Sequence, residues 1–304
     1  MLIRFAIKEF ATEKEFENLS KGTIGNYGLF FNDFLSWCKD NEYERVEQLT
    51  SRVLKSYLNM CRTDKGNNPT TLNTKRKHFR AFFNFLVSED MAESNPTDAI
   101  KKVKEDIRIK AFTDQEVKEI LSDLRRTKRK TDSFYAIRNH CAFITLIGTG
   151  LRASELTSLT WNAVDFKRRN IVVFGKMRRD EIVPLSEKLV GELSYWKNYC
   201  IENFGELPQS VFINRKGVAL TVNGLKCWFK RMAVKMDFPE TRCSAHSCRH
   251  YFAKSWIQNG GDISRLAKIL RHSSIKTTEK YLHFWGNEVA DDNDKFNPLN
   301  KLNI

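Results

Sequence analysis

The stretch from Ala245 to His283, AHSCRHYFAKSWIQNGGDISRLAKILRHSSIKTTEKYLH, constrains this chain more than any other. His246, Arg249 and His250 fall at i, i+3 and i+4, which on a helix is one face. Phe252, Ala253, Trp256 and Ile257 keep the helical period, and Asn259-Gly260-Gly261 ends it. Asp262 is the N-cap of a second helix carrying Ile263, Leu266, Ile269 and Leu270. His272 stands where that helix ends. Ser273-Ser274 opens a third short helix, with Tyr281 in its C-terminal part. Taken singly, each residue has a plain reading, such as a half-buried tyrosine or a salt-bridged surface face. Any functional reading rests on the combination, which holds four of the chain's 6 histidines.

At 304 residues the chain is long enough for two domains. It has no apolar run of the ~18 residues a membrane span needs, and its N-terminus lacks the apolar core of a signal peptide. The 7 cysteines are scattered, with no C-x-x-C pair, which argues against a disulfide framework or a zinc site and for a reduced, cytoplasmic setting. The net charge of +14 suits a polyanionic partner, nucleic acid first. That charge is uneven. Residues 1–110 hold 19 Lys and Arg against 16 Asp and Glu, and the remainder holds 32 against 21.

In chain order, residues 1–19 read as an amphipathic helix. Ser20 to Cys38 reads as a second, with Ile24, Tyr27, Phe30, Phe31, Phe34 and Leu35 at helical spacing. Thr50 caps a third through Cys61. A fourth, Thr71 to Leu86, buries Phe79, Phe82, Phe83 and Leu86 and projects Lys75, Arg76, His78 and Arg80 from its early turns. That basic run reads either as a solvated face or as a helix meeting DNA phosphates. Asn95-Pro96 ends this all-helical unit, and 97–110 reads as a charged linker. Thr113 or Asp114 caps a helix through Leu124, followed by a basic loop, Arg125 to Thr131. Ser133 to Ile147 is apolar on most faces and reads as a buried central helix. Gly148-Thr149-Gly150 then turns the backbone tightly ahead of Arg152, with Glu155 three residues on. Asn170–Phe174 and Glu181–Leu185 form a hairpin carrying Lys176, Arg178 and Arg179 at its turn. Ser186 caps a helix to Cys200, Val211–Asn214 reads as a short strand, and Thr221 or Asn223 starts a helix through Met236.

Together, these residue types suit a phosphodiester. A tyrosine hydroxyl can attack phosphorus. Two arginines can hold the non-bridging oxygens of the five-coordinate transition state. Histidines can donate to those oxygens or exchange the tyrosine proton, and a lysine can protonate the leaving 5′-oxygen, help worth roughly 10²–10⁴-fold in rate. With this much side-chain charge, no metal or other cofactor is required.

Arg152 in TGLRASEL, Lys176 in FGKMRRDEIVPL, His246 and Arg249 in AHSCRHYFA, and His272 and Tyr281 in LRHSSIKTTEKY match, in order, the motifs of the tyrosine recombinase (phage integrase) family. The chain resembles a compact, two-domain, Xer-like member over essentially its whole length. The resemblance implies that Tyr281 is the nucleophile and that Arg152 and Arg249 bind the scissile phosphate. It makes Lys176 the general acid, His246 an acid/base and His272 a phosphate donor, with Glu155 supporting the first arginine. Three positions depart from the usual pattern: Arg271 stands where Gly is usual, Cys248 where Leu is usual, and Glu181 where a basic residue is common. There is no long insertion between Lys176 and His246 and no arm-binding domain before residue 20, so a lambda-type layout is less expected.

The expected fold is mainly α with a small antiparallel β-sheet. A helical core-binding (SAM-like) DNA-binding domain spans 1–107, a linker 108–110, and a catalytic domain 111–304 ends in a tail that docks on a neighbouring subunit. The resemblance implies a site-specific recombinase of the integrase or resolvase kind. It would act as a homo-tetramer on two double-stranded DNA sites, through a 3′-phosphotyrosine link and a Holliday junction, without ATP and with room for an accessory protein. The alternatives are a type IB topoisomerase-like enzyme, which relaxes supercoils as a monomer, and a non-catalytic DNA-binding relative, which forms no covalent adduct.

Overall fold

A computed structural model describes residues 1–105, 110–131, 133–174, 180–238, 241–272 and 274–285, the last four without side-chain detail. The chain divides into two compact units, Met1–Ile107 and Arg108–Ile304. The hairpin turn with Lys176, Arg178 and Arg179, and the tail from 286 onward, lie outside the described residues.

The first unit is built from α1 (Ile3–Phe16), α2 (Lys21–Asp40), α3 (Ser51–Thr63) and α4 (Pro69–Ser88). Ser20 and Thr50 cap α2 and α3 by accepting from the backbone N–H three residues on. α4 starts earlier than its apolar period suggests. Asn68 is its N-cap and Pro69 opens its first turn, where a missing N–H does no harm. The core is aromatic: Phe10, Phe31, Phe34, Tyr57, Phe79 and Phe82 are fully buried. Their rings meet edge to face, with Phe34 and Phe79 centred 4.7 Å apart.

Residues 97–105 are not a free linker. Thr97 and Ile100 are buried. The Asn73 amide donates to the Val103 carbonyl at 2.8 Å and accepts from its N–H at 2.9 Å. The segment thus returns along α4, and its polar backbone finds partners that its composition does not reveal.

The second unit places α6 (Phe134–Thr149) at its centre, buried on most faces. Before it, α5 (Asp114–Thr131) begins at a capping box in which Thr113 and Glu116 exchange bonds of 2.7 and 3.1 Å. α5 then runs straight through the segment read as a basic loop. A run of Arg and Lys supports a helix and suits its negative C-terminal end. After the short α7 (Ala153–Thr157) come β1 (Val164–Asp165), β2 (Asn170–Phe174) and β3 (Asp180–Pro184), an antiparallel sheet in that order. Register pairs Ile171 with Val183, both buried, and Val172 with Ile182, both exposed. Helices α8 (Glu187–Phe204), α9 (Val222–Met236), α10 (Ala245–Gln258), α11 (Ile263–Ile269) and α12 (Lys276–Trp285) complete the unit. Val211–Asn214 makes only an isolated bridge, Ile213 to Ala219, with another just before it from Ser210 to Thr160, rather than a strand. Among the described residues no helix is long and apolar enough to cross a membrane, and all seven cysteines are free thiols.

In the first unit, Asp33 on α2 accepts from Lys65, from the Tyr57 hydroxyl at 2.7 Å and from Lys75 at 3.3 Å. Burial raises its carboxyl, but these three donors outweigh burial and hold it down at about 2, against an ordinary 3.8. A depressed carboxyl stabilises the fold above its unfolded pKa, and that contribution fades as pH falls through 3.8 toward about 2. Thermal melts of the full chain should therefore lose midpoint steeply across that window, and Asp33→Asn should flatten this part of the slope. An unchanged slope in the variant would remove Asp33 from the account.

Candidate active site

The site is assembled at the ends of helices. α6 stops at Gly150, which takes φ +63° and donates its N–H to the Leu146 carbonyl. This left-handed turn releases the chain into Arg152, the N-cap of α7. Glu155, one turn into α7, is 7% exposed. It accepts the Arg152 backbone N–H and an Arg152 guanidinium N–H, each at 2.7 Å. The Arg152 guanidinium also donates to the Arg271 carbonyl at 3.1 Å.

α10 starts at Ser244, whose hydroxyl accepts the Ser247 N–H at 3.1 Å. One turn further, Arg249 is 3% exposed. Its guanidinium donates to the Gly150 carbonyl at 2.7 Å and to the Leu270 carbonyl. The carbonyls left over at the ends of α6 and α11 thus hold the second arginine. On the same face, the rings of His246 and His250 lie 4.1 Å apart.

α11 begins at the expected Asp262 cap, which accepts from the Arg265 N–H at 2.7 Å. Beyond its end Arg271 takes φ +55°, and His272 follows, sharing a 2.6 Å hydrogen bond between its Nδ1 and the Thr278 hydroxyl. α12 brings in Tyr281, 4% exposed, whose hydroxyl shares a 2.9 Å hydrogen bond with His250 Nδ1. The Tyr281 ring lies nearly parallel to that of His272, centroids 6.4 Å apart.

Electrostatics follow from three arginines in one half-buried place. Burial, then the charges of Arg249 and Arg152, lower His246. Burial and the same two arginines take His272 to about 4, and burial with His246 and Arg249 takes His250 to about 3. All three imidazoles are therefore neutral near pH 7. Burial pushes the Tyr281 phenol up, partly offset by Arg249 and Arg152. Burial and the neighbouring Arg152 and Arg271 bring Arg249 down to about 9. Burial raises Glu155, but bonds from Arg271 and Arg152 outweigh it and leave the carboxylate ionised below its ordinary range. An anion placed among these groups would relieve the repulsion that now lowers them.

Of the residues singled out in the sequence, Arg152, Glu155, His246, Arg249, His272 and Tyr281 come together here. Lys176, Arg178 and Arg179 lie outside the described residues. The N-terminal cations are placed differently from the projecting row the sequence suggested. Lys75 is bonded to Asp33 and to the Tyr57 hydroxyl and lies over the Phe30 and Tyr57 rings. The Arg76 guanidinium donates to the Ile100 carbonyl at 2.6 Å. His78 packs against Tyr27 and Phe30, 4.8 and 5.0 Å away. Arg80 stays exposed, 3.5 Å from Asp98 in a surface pair of the kind that contributes little. Two residues of the site had no role assigned from sequence. His250 was visible only as the i+4 neighbour of His246. Arg271 was visible only as a departure from a motif.

Comparison with known families decides what the assembly is. The phage integrase family matches residues 110–286, and the phage integrase N-terminal SAM-like domain matches residues 7–93. This chain belongs to the phage integrase family. As such an integrase it resembles tyrosine recombinase XerD of Oceanobacillus iheyensis, at 26% identity over 98% of this chain and 99% of that protein. It also resembles XerC of Halalkalibacterium halodurans, at 28% identity over 90% and 91%. Its fold matches that of the Tn1549 transposon integrase in complex with transposon right end DNA (TM-score 0.74, 19% identity, 92% and 94% covered). It also matches XerH site-specific recombinase bound to palindromic difH substrate (TM-score 0.75, 19% identity, 90% and 80% covered).

The Gly150 turn supports both arginines, and it has no room for a side chain. A Cβ there would stand 2.8 Å from Leu270 Cδ2 and 2.9 Å from Phe252 Cδ1, at a φ that L-residues avoid. Gly150→Ala should destabilise the chain by about 1–3 kcal/mol. Gly148→Ala, where the nearest atom is an ordinary 3.6 Å away, should be neutral or slightly stabilising. Urea denaturation of the two variants checks this, and equal midpoints would refute it.

Proposed function

We propose that this chain is a site-specific DNA recombinase that breaks and rejoins duplex DNA through a tyrosine–phosphate intermediate. One observation carries the reading. The hydroxyl of a buried tyrosine sits on a neutral imidazole, in an assembly that also holds two arginines anchored by backbone carbonyls.

In the proposed reaction, Arg152 and Arg249 hold the non-bridging oxygens of the scissile phosphate, and His272 adds a donor. Tyr281 Oη attacks phosphorus, forming a P–O bond to the 3′-phosphate, and the bond to the 5′-oxygen breaks. The phenolic proton passes to the imidazole pair, with His250 on the hydroxyl and His246 beside it. Lys176, by its motif position, returns a proton to the leaving 5′-oxygen. The bond energy stays in the phosphotyrosine link, so resealing is the reverse step with a new 5′-hydroxyl and needs no ATP. Among the described residues, the carbonyl and carboxylate bonds use two of the five side-chain N–H donors of each arginine. The remaining donors are there for phosphate. The relatives named XerC and XerD, and the neighbours bound to DNA, support double-stranded DNA as partner. A homo-tetramer on two sites, passing through a Holliday junction, completes the reading, and an accessory protein is compatible with it.

Covalent trapping tests the proposal. The protein is incubated with nicked suicide duplexes drawn from the DNA flanking its gene and run on denaturing gels. A shifted band should form and should vanish with Tyr281→Phe. Arg152→Gln and Arg249→Gln should each lower the rate of adduct formation by about 10²–10³-fold, the usual effect of removing one fixed donor from a transition-state oxyanion. Specific binding with no adduct on any bound site would favour a binding module, whereas site-independent relaxation of supercoils by a monomer would favour a topoisomerase.

The tail beyond residue 285 is proposed to dock on a neighbouring subunit, because its sequence carries the scattered apolar residues Val289, Phe296, Leu299 and Leu302 beside the acidic Glu288, Asp291, Asp292 and Asp294. Deleting 286–304 should leave the melting midpoint of the monomer within a degree or two and abolish higher-order complexes on DNA. Intact tetramers from the truncated chain would exclude this role.

A further inference from the structure

Arg271 is, with Arg249, one of two deeply enclosed cations of the site, its side chain only 1% exposed. Its guanidinium donates twice to Glu155, from Nη2 at 2.6 Å and from Nε at 3.3 Å, and once to the Ile269 carbonyl at 2.5 Å. Its own carbonyl accepts from Arg152 at 3.1 Å. Arg271 therefore reaches the first arginine by two routes, through Glu155 and through its own backbone. A second carboxylate, Glu181 at the start of β3, places Oε2 3.8 Å from Arg271 Nε, and that oxygen is buried without a hydrogen-bond partner. Arg271 thus lies between a carboxylate on α7 and one on the sheet. At φ +55° its backbone holds a conformation that favours glycine, so the local chain geometry gives no reason for an arginine here. The side chain supplies the reason.

We propose that Arg271 is a positioning residue. It neutralises and orients Glu155 so that Glu155 can hold Arg152 in its phosphate-binding pose, with Glu181 balancing the remaining charge. Arg271 does not touch the phosphate itself. Without it, Glu155 would keep one cationic partner instead of two, and the Arg152 guanidinium, which now bonds one carboxylate oxygen, would be free to turn onto both. Bidentate geometry matters here, because an ammonium can satisfy the charge but not both oxygens at once.

The proposal rests on the recombinase reading for its kinetic arm and carries an arm independent of it. In single-turnover trapping with the full-length protein on the nicked duplexes, Arg271→Met should lower the adduct rate at saturating protein on the order of tenfold, while DNA affinity stays within about twofold. Arg271→Lys should recover part of the rate. Because both residues act through one contact, Arg271→Met combined with Glu155→Gln should lose little more than the worse single variant. Arg271→Gly separates positioning from folding, since it relaxes the left-handed backbone while removing the side chain. It should therefore keep the melting midpoint better than Arg271→Met yet lose the same rate. Rates within about twofold of wild type, or fully additive losses, would overturn the proposal. If the wild-type protein forms no adduct on DNA it binds, the recombinase reading fails, and the second arm still decides Arg271. In arginine-labelled free protein, the Arg152 Nε–Hε signal should become more mobile in Arg271→Met, and an unchanged signal refutes the positioning role.

Discussion

The carboxylate of Glu155 is the interaction on which the rest of the site depends. It is buried, ionised and bonded to Arg152 on one side and Arg271 on the other. A buried charge is tolerated only with partners, and removing one partner of such a pair typically costs about 3–5 kcal/mol, because the other is left uncompensated. The position of each guanidinium is therefore fixed by a requirement stronger than local packing. Arg152 adds a bond to the Arg271 carbonyl, and Arg249 is held by the carbonyls of Gly150 and Leu270. The ends of α6 and α11 and the start of α7 thus share one polar centre. Helix termini, which elsewhere need capping from outside, here satisfy their carbonyls with the groups the chemistry needs.

That arrangement gathers three arginines around the Glu155 carboxylate, with Glu181 only at its edge. The consequences appear in the groups around it: Arg249 drawn down to about 9, His272 to about 4 and His250 to about 3, each by burial first and by neighbouring basic groups after it. The clustered cations repel one another, and on the proposed reading a phosphodiester is the counter-charge that relieves the repulsion. Binding energy from an anion and readiness for the transition state then have the same source. A five-coordinate phosphorane carries more negative charge than the ground-state diester, so donors already fixed in place favour it more.

Much of this was legible in the sequence because helix ends are written locally. Thr50, Ser186 and Asp262 each cap the helix that follows, each readable from residue type and the apolar period behind it, and Thr221 proves to be the cap of the two candidates there. The spacing of His246, Arg249 and His250 placed them on one face for the same reason. What was not legible depended on partners distant in sequence. Lys75 and Arg76 read as projecting cations, but Asp33 on another helix and the Ile100 carbonyl on a returning segment draw them in. A helical period fixes which way a residue faces, not whether a long side chain folds back over its own surface. The basic run after Leu124 read as a loop because charge was taken for irregularity, whereas Lys and Arg are good helix formers. Arg271 shows the same limit most clearly. Its left-handed backbone and its bonds to Glu155, 116 residues away, leave no local signature except an unexpected residue type.

The placement of the nucleophile adds a constraint on order. Tyr281 is buried, its phenol is raised by that burial, and its hydroxyl contacts a histidine whose own basicity is suppressed. A phenol raised in pKa and an imidazole lowered to about 3 do not readily exchange a proton by themselves. Burial suppresses His250 first, and His246 and Arg249 add to it; Arg249 is the charge a phosphate would neutralise. Bringing the diester onto Arg152 and Arg249 therefore raises the basicity of the imidazole that contacts the tyrosine. It also removes part of the positive field that favours phenolate, so the phenol and the imidazole rise together. Burial remains the first cause for both, and on the proposed reading the phosphate sets the order of events by holding the reacting phosphorus against Tyr281 rather than by matching the two groups in basicity.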